Sequence, residues 1–215
     1  QNISHEVRTP LNSIMGFNDL LNNSPEAFSP DERQEMVNHI NVMSNRLASL
    51  LDTIIFISRL DSEDIKPNIS RFPLSGVLAE INAAVANQTT PGVRLEMEQA
   101  LSTPLLVKAD RDLFARALSA VVENAVKFTQ SGSIKLEVAE RQGDTLEVSV
   151  TDTGCGIPTD SAELIFERFE KLNSFEPGFG LGLSTAREVL GMMGCAIRLD
   201  KSYTEGARFI ITANR

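Results

Sequence analysis

The sequence predicts an α+β chain: an N-terminal antiparallel helical hairpin that pairs with a second copy into a four-helix bundle, followed by a domain that mixes helices and strands. Three observations predict it. Apolar residues recur at alternating four- and three-residue spacings along the first 66 residues. A period-two alternation replaces that pattern between 134 and 150, and glycines cluster at 154–156 and 178–182.

The first helix is read from Ile3, Val7, Pro10, Ile14, Phe17 and Leu21, whose spacing is that of a coiled-coil seam. Met36, Ile40, Met43, Leu47, Leu50, Ile54 and Ile57 repeat the seam in a second helix, and Val37, Leu51 and Ile55 widen the stripe to bundle breadth. Asn22 to Phe28 is a polar breaker, and Ser29-Pro30-Asp31-Glu32 spells a capping box with proline at the first helical position. Two helices alone bury too little surface, so a homodimer is expected. Pro67 ends the pattern, giving expected domains of 1–66 and 67–215.

Beyond Arg71 helical and strand signals mix. Residues 74–88 and 110–128 read as helices, the second capped by Asp110. Ile134, Leu136 and Val138, then Leu146, Val148 and Val150, alternate around Gly143-Asp144 as a β-hairpin with one covered face. Residues 181–193 read as a helix, and 196–203 with 207–212 as a closing strand pair.

Composition narrows the function classes. Twenty Lys and Arg against 29 Asp and Glu give a net charge of −9, which disfavours nucleic acid and anionic membranes as partners. The two cysteines, Cys155 and Cys195, suggest no disulfide framework and fit a reducing compartment, so a cytoplasmic location is expected. No run of 18 apolar residues and no signal-peptide pattern is seen, so membrane attachment is expected only through other parts of a longer parent protein.

Four constellations carry chemistry. On a helix His5 and Thr9 share a face one turn apart while Val7 and Pro10 point to the seam, leaving an exposed imidazole beside Glu6, a base for phosphoryl acceptance. Alone, such a pair is ordinary solvated surface. Asn124 offers an amide oxygen to an octahedral Mg²⁺ shell and Lys127 a charge to a phosphate; alone, they are an ordinary helix end. Asp152-Thr153-Gly154-Cys155-Gly156 follows a strand, and its carboxylate can accept from an adenine amino group. Gly178-Phe179-Gly180-Leu181-Gly182-Leu183 opens a helix as an anion site, with the spacing of neither a P-loop nor a dinucleotide fingerprint.

Ser4-His5-Glu6-Val7-Arg8-Thr9-Pro10-Leu11 closely resembles the phosphoacceptor box of sensor histidine kinases. The Asn, Asp-Gly and Gly boxes, in this order, resemble the Bergerat-type ATP-binding domain shared by histidine kinases, type II topoisomerases, heat-shock chaperones and mismatch-repair ATPases, which implies an α/β-sandwich fold for the second domain. Ile165 to Leu172 resembles the Phe box of the kinases. The resemblance covers essentially the whole chain. It implies His5 as phosphoacceptor, Glu6 as base and Thr9 as an aid to dephosphorylating a partner. It also implies ATP and Mg²⁺ held by Asn124, with Lys127, Phe128, Asp152, Gly154, Gly156, Gly178, Gly180, Leu181, Gly182 and Leu183 around the nucleotide. The phosphoryl group then passes to an Asp on a response-regulator receiver domain.

The chain departs from the family pattern in three places. Ala120 stands where many members carry a second Asn. Ala207 stands where a Thr often supports the adenine-binding Asp, a role for which Thr153 or a water is the expected replacement. Asn173 to Pro177 make a short ATP lid. The two alanines keep a second reading open, a nucleotide-binding dimer scaffold without kinase activity. A clamp-type ATPase is a third, against which the His-bearing hairpin and the Phe box argue. Cys155 is expected to have no catalytic role, and His39 and Tyr203 to serve packing or solvation.

Overall fold

The structure, a computed structural model, describes residues 2–23, 25–86, 92–98, 105–141, 144–172 and 178–215. It divides into two units, Gln1–Ile65 and Lys66–Arg215.

In the first unit α1 (Asn2–Asn23) and α2 (Pro30–Asp61) pack side by side as a hairpin. The α2 start forms as its sequence dictates. The Ser29 hydroxyl accepts from the Glu32 N–H at 3.3 Å, and the Glu32 carboxylate accepts from the Ser29 N–H at 2.8 Å, satisfying donors that a first turn cannot satisfy itself. Phe17 of α1 stacks on His39 of α2 with ring centroids 5.3 Å apart, so His39 serves packing. Leu50, Ile57 and Leu60 are buried, but Leu51 and Ile55 of the same stripe remain 48% and 59% exposed, so the hairpin covers only part of its stripe. By length and composition alone α2 is long and apolar enough to cross a membrane. Only part of its apolar surface is covered by α1: Leu50 is buried, while Val42, Leu51 and Ile55 stay exposed.

The second unit runs β1 (Ser70–Pro73), α3 (Leu74–Val85), β2 (Val93–Glu98), β3 (Leu106–Ala109), α4 (Arg111–Phe128), β4 (Gly132–Arg141), β5 (Thr145–Asp152), α5 (Gly182–Met192), β6 (Ala196–Leu199) and β7 (Arg208–Asn214). Five strands form one sheet in the order β2-β4-β5-β7-β6, while β1 and β3 pair as a separate antiparallel ribbon. Only β2 and β4 are parallel within the sheet. Leu136 pairs with Val150 and Val138 with Val148, and these residues with Ile134 and Leu146 make the covered face the alternation predicts. Helix α4 contacts β5 and buries a stripe of Phe114, Ala117, Leu118, Val121, Val122 and Ala125, each large side chain contributing about 1.5–3 kcal/mol. The Asp110 cap does two jobs. Its Oδ1 accepts from the Asp112 and Leu113 N–H groups, each at 3.1 Å, and its Oδ2 accepts from the Asn68 N–H at 2.8 Å, tying the entry of the unit to α4.

The structure differs from the sequence reading at several ends. The helix expected over 74–88 stops at Val85, and residues 87 and 88 lie outside the described residues, as does Gly143 of the expected hairpin turn. The strand expected over 196–203 stops at Leu199, because Asp200 turns the chain: its Oδ1 accepts from the Ser202 N–H at 3.0 Å and the Ser202 hydroxyl at 2.6 Å. Strand β7 occupies 208–214 rather than 207–212.

Candidate functional site

On α1, His5 is exposed and Pro10 buried. Pro10 supplies no N–H to the helix ladder. The Thr9 hydroxyl donates to the His5 carbonyl at 3.1 Å and the Ser13 hydroxyl to the Thr9 carbonyl at 3.2 Å. Back-bonded hydroxyls beside a proline loosen a helix locally, and here they flank the His5 turn.

In the second unit the covered face of β5 ends on a polar residue. Continuing the alternation of Leu146, Val148 and Val150 puts Asp152 on the buried side, where it is 3% exposed. Burial pushes its carboxyl above the ordinary range, and bonds from the Gly154 and Ala207 N–H groups offset this only in part. Both bonds, at 2.9 and 3.1 Å, land on Oδ1, and no described residue donates to Oδ2. Gly154 lets the turn through, because a Cβ there would collide with the Phe128 carbonyl and lie 3.0 Å from Asp152 Oδ1. Beyond the turn a cleft of about 300 Å³ opens between Cys155, Gly156 and Ile157 and the loop of Asp200, Lys201 and Tyr203. Tyr203 forms its wall under the Arg208 guanidinium, 4.4 Å from the ring centroid.

Asn124 and Lys127 leave the last turns of α4. Asn124 is half-buried, and Lys127 holds its ammonium 4.3 Å from the centroid of the Phe128 ring. The same ammonium lies 2.8 Å from where a Cβ on Gly178 would stand, so α4 and the glycine box meet. Ala120 meets the box too, 3.8 Å from a Cβ built on Gly182, and its small side chain suits that close approach. Leu181 and Leu183 correct the sequence reading: their side chains are buried core, leaving backbone and glycines as what this box presents. Thr153 is a second correction, for its hydroxyl accepts from the Ser133 N–H at 3.0 Å and is committed to the start of β4. Asn173 to Pro177 lie outside the described residues.

A bracket that the sequence did not announce joins the Phe box to α5. The Arg187 guanidinium donates to the Phe166 carbonyl and the Glu167 carboxylate, each at 3.1 Å, and lies 5.2 Å from the Phe166 ring. Arg168 pairs with Glu188 at 2.7 Å. The Phe169 N–H donates to the Gly180 carbonyl at 2.8 Å, with Phe169 at φ +67°, a conformation rare for a bulky residue. Gly180 also has φ +67°, and a Cβ there would stand 2.6 Å from the Glu170 carbonyl oxygen. Gly180→Ala is therefore expected to destabilise the unit by about 1–3 kcal/mol, read as a lower melting temperature. An unchanged melting temperature would show that this contact yields.

These residues fit a nucleotide: a buried carboxylate with one open oxygen, an ammonium beside a glycine-lined helix start, and an amide on the same helix as the ammonium. Among the described residues no group of three or more His, Cys, Asp or Glu could hold a metal. A cation here would need oxygen ligands from the nucleotide and water besides Asn124.

Residues 1–63 match the model of the His Kinase A (phospho-acceptor) domain. Residues 109–215 match that of the histidine kinase-, DNA gyrase B- and HSP90-like ATPases. The aerobic respiration control sensor protein ArcB of Escherichia coli K12 is 28% identical over 216 residues, covering 98% of this chain and 27% of that protein. The autoinducer 2 sensor kinase/phosphatase LuxQ of Vibrio cholerae is 30% identical over 219 residues, covering 97% of this chain and 25% of that protein. The chain thus spans about a quarter of the length of these curated relatives. Among solved structures, full-length ShkA in complex with AMPPNP aligns with a TM-score of 0.73 at 29% identity, over 98% of this chain and 44% of that one.

Proposed function

Because this chain belongs to the sensor histidine kinases, we propose that its second unit binds ATP with Mg²⁺ and that His5 of its first unit accepts the γ-phosphoryl group. When bound, ATP supplies that group and Mg²⁺ neutralises phosphate charge. The observation that carries the reading is the Asp152 carboxylate, fixed through Oδ1 by two backbone N–H groups with Oδ2 left to accept from an adenine amine. Lys127 offers its charge to the phosphates, Asn124 its amide oxygen to the metal, and the box from Gly178 to Gly182 its backbone. His5 offers one ring nitrogen as nucleophile, and Glu6 takes the proton from the other. The softened turn around Thr9 and Pro10 gives the imidazole room to turn toward its donor.

Further expectations follow from family membership. The half-covered stripe of the hairpin supports a homodimer. The phosphoryl group passes from His5 to an Asp of a receiver domain, and Thr9, whose hydroxyl retains acceptor lone pairs while donating to the His5 carbonyl, orients water for the reverse hydrolysis. LuxQ, described as both kinase and phosphatase, supports that second activity. The segment works in the cytoplasm, with any membrane anchor in other parts of its parent.

Incubation with γ-labelled ATP tests the proposal: acid-labile, alkali-stable label on the protein is the expected result. Nucleotide binding without label would favour the scaffold reading, which Ala120 and Ala207 support.

A further inference from the structure

Two hydroxyls are buried without a hydrogen-bond partner among the described residues, those of Thr129 and Thr185. Thr129 is the more enclosed, at 1% exposure. A buried hydroxyl left unpaired weakens the fold that contains it, so its retention points to a partner that arrives later.

Its place indicates which partner. Thr129 follows α4 and extends the buried stripe of Leu118, Val121, Val122 and Ala125 on a helix that contacts β5. Asp152 extends the buried alternation of Leu146, Val148 and Val150 on the facing strand. Two buried apolar runs, on elements that are in contact, therefore each end on a polar group. They end at the same edge, because the Phe128 carbonyl and Asp152 Oδ1 crowd a single point, the position of a Cβ on Gly154. The hydroxyls flanking Asp152 in sequence are committed, Thr153 accepting from the Ser133 N–H and Thr151 from the Arg208 guanidinium, and position 207 is alanine.

We infer that Thr129 is a positioning residue at the base-binding end of the nucleotide site, its hydroxyl donating beside the accepting Oδ2 of Asp152. An acceptor next to a donor matches the amino group and adjoining ring nitrogen of adenine. Guanine presents the reverse order at that edge, a carbonyl and an N–H. Thr129 thus restores, just beyond the end of α4, the hydroxyl that Ala207 lacks, and it selects ATP over GTP. The inference rests on the ATP reading above.

The test is Thr129→Val and Thr129→Ser in the 215-residue chain, measuring apo melting temperature and the dissociation constants of ATP and GTP. Thr129→Val is expected to melt at or above the wild-type temperature, to bind ATP about tenfold more weakly and to leave GTP affinity unchanged, so the ATP/GTP ratio narrows. Thr129→Ser is expected to keep that ratio. In an Asp152→Asn background the Val substitution is expected to cost ATP less, because the paired acceptor is gone. Equal ATP affinity in wild type and Thr129→Val would overturn the inference while leaving the ATP reading intact. So would a lower melting temperature with ATP and GTP weakened alike, the signature of a structural role. Failure of the wild type to bind ATP would overturn the underlying reading as well.

Discussion

Replacing His5 with Gln is expected to abolish acid-labile labelling while leaving ATP affinity unchanged. The imidazole is the only part of the residue the proposed chemistry uses; the carbonyl that accepts from Thr9 belongs to the backbone and survives the substitution. His5 is exposed on a helix, where such a change alters stability by about 0.5 kcal/mol or less, so lost label cannot be ascribed to unfolding. The acceptor belongs to one unit and the nucleotide residues to the other, which separates the two readouts. Full labelling of His5→Gln would end the assignment. A partial loss matched by weaker ATP binding would instead make His5 part of the fold rather than the acceptor.

Asp152→Asn has the largest expected effect on nucleotide binding. The Asn oxygen can still accept from Gly154 and Ala207, which places its amide nitrogen where Oδ2 stood and sets a donor against the adenine amine. Loss of a charge-assisted bond costs about 1.5–3 kcal/mol, or about ten- to a hundredfold in ATP affinity. Stability should move the other way. The Asp152 carboxyl is held above its ordinary range chiefly by burial. Its contribution to folding is therefore fully present below the unfolded-state value and is lost as pH rises through the folded-state value. Apo Asp152→Asn should gain on wild type in melting temperature as pH climbs from acid to neutral. Unchanged ATP affinity would remove Asp152 from the base-binding role, and a melting difference that does not move with pH would remove the burial argument.

Local chemistry made some elements legible. The capping box at Ser29 and the Asp110 cap are short-range signals, and the structure forms both. The alternations at 134–138 and 146–150 lie on one covered face because period two leaves no other choice. The ribbon of β1 and β3 was not legible: strands of four residues, one ending on Pro73, are too short to show a period. Val93, Leu95 and Met97 alternate with charged residues in β2, but its partner β4 is parallel and distant in sequence, a pairing no local turn announces. At the site, Asp152 and the glycines were visible in the order of the boxes. Three features were not: the Arg187 bracket, the commitment of Thr153 to β4, and the burial of Leu181 and Leu183. Each depends on what tertiary structure brings alongside, and a charged or apolar residue on a helix looks the same in sequence whether it meets solvent or a neighbour.

The apolar stripe that α1 and α2 leave uncovered has a consequence for the cell. On the proposed homodimer, a second copy covers this surface, and the folding of the hairpin becomes a mass-action equilibrium set by how many chains share a volume. Synthesis level then becomes an input in its own right: a scarce kinase would hold fewer assembled bundles, whatever its stimulus. Confining chains to a small compartment or a two-dimensional surface would raise their local concentration and assemble the bundle without a new contact.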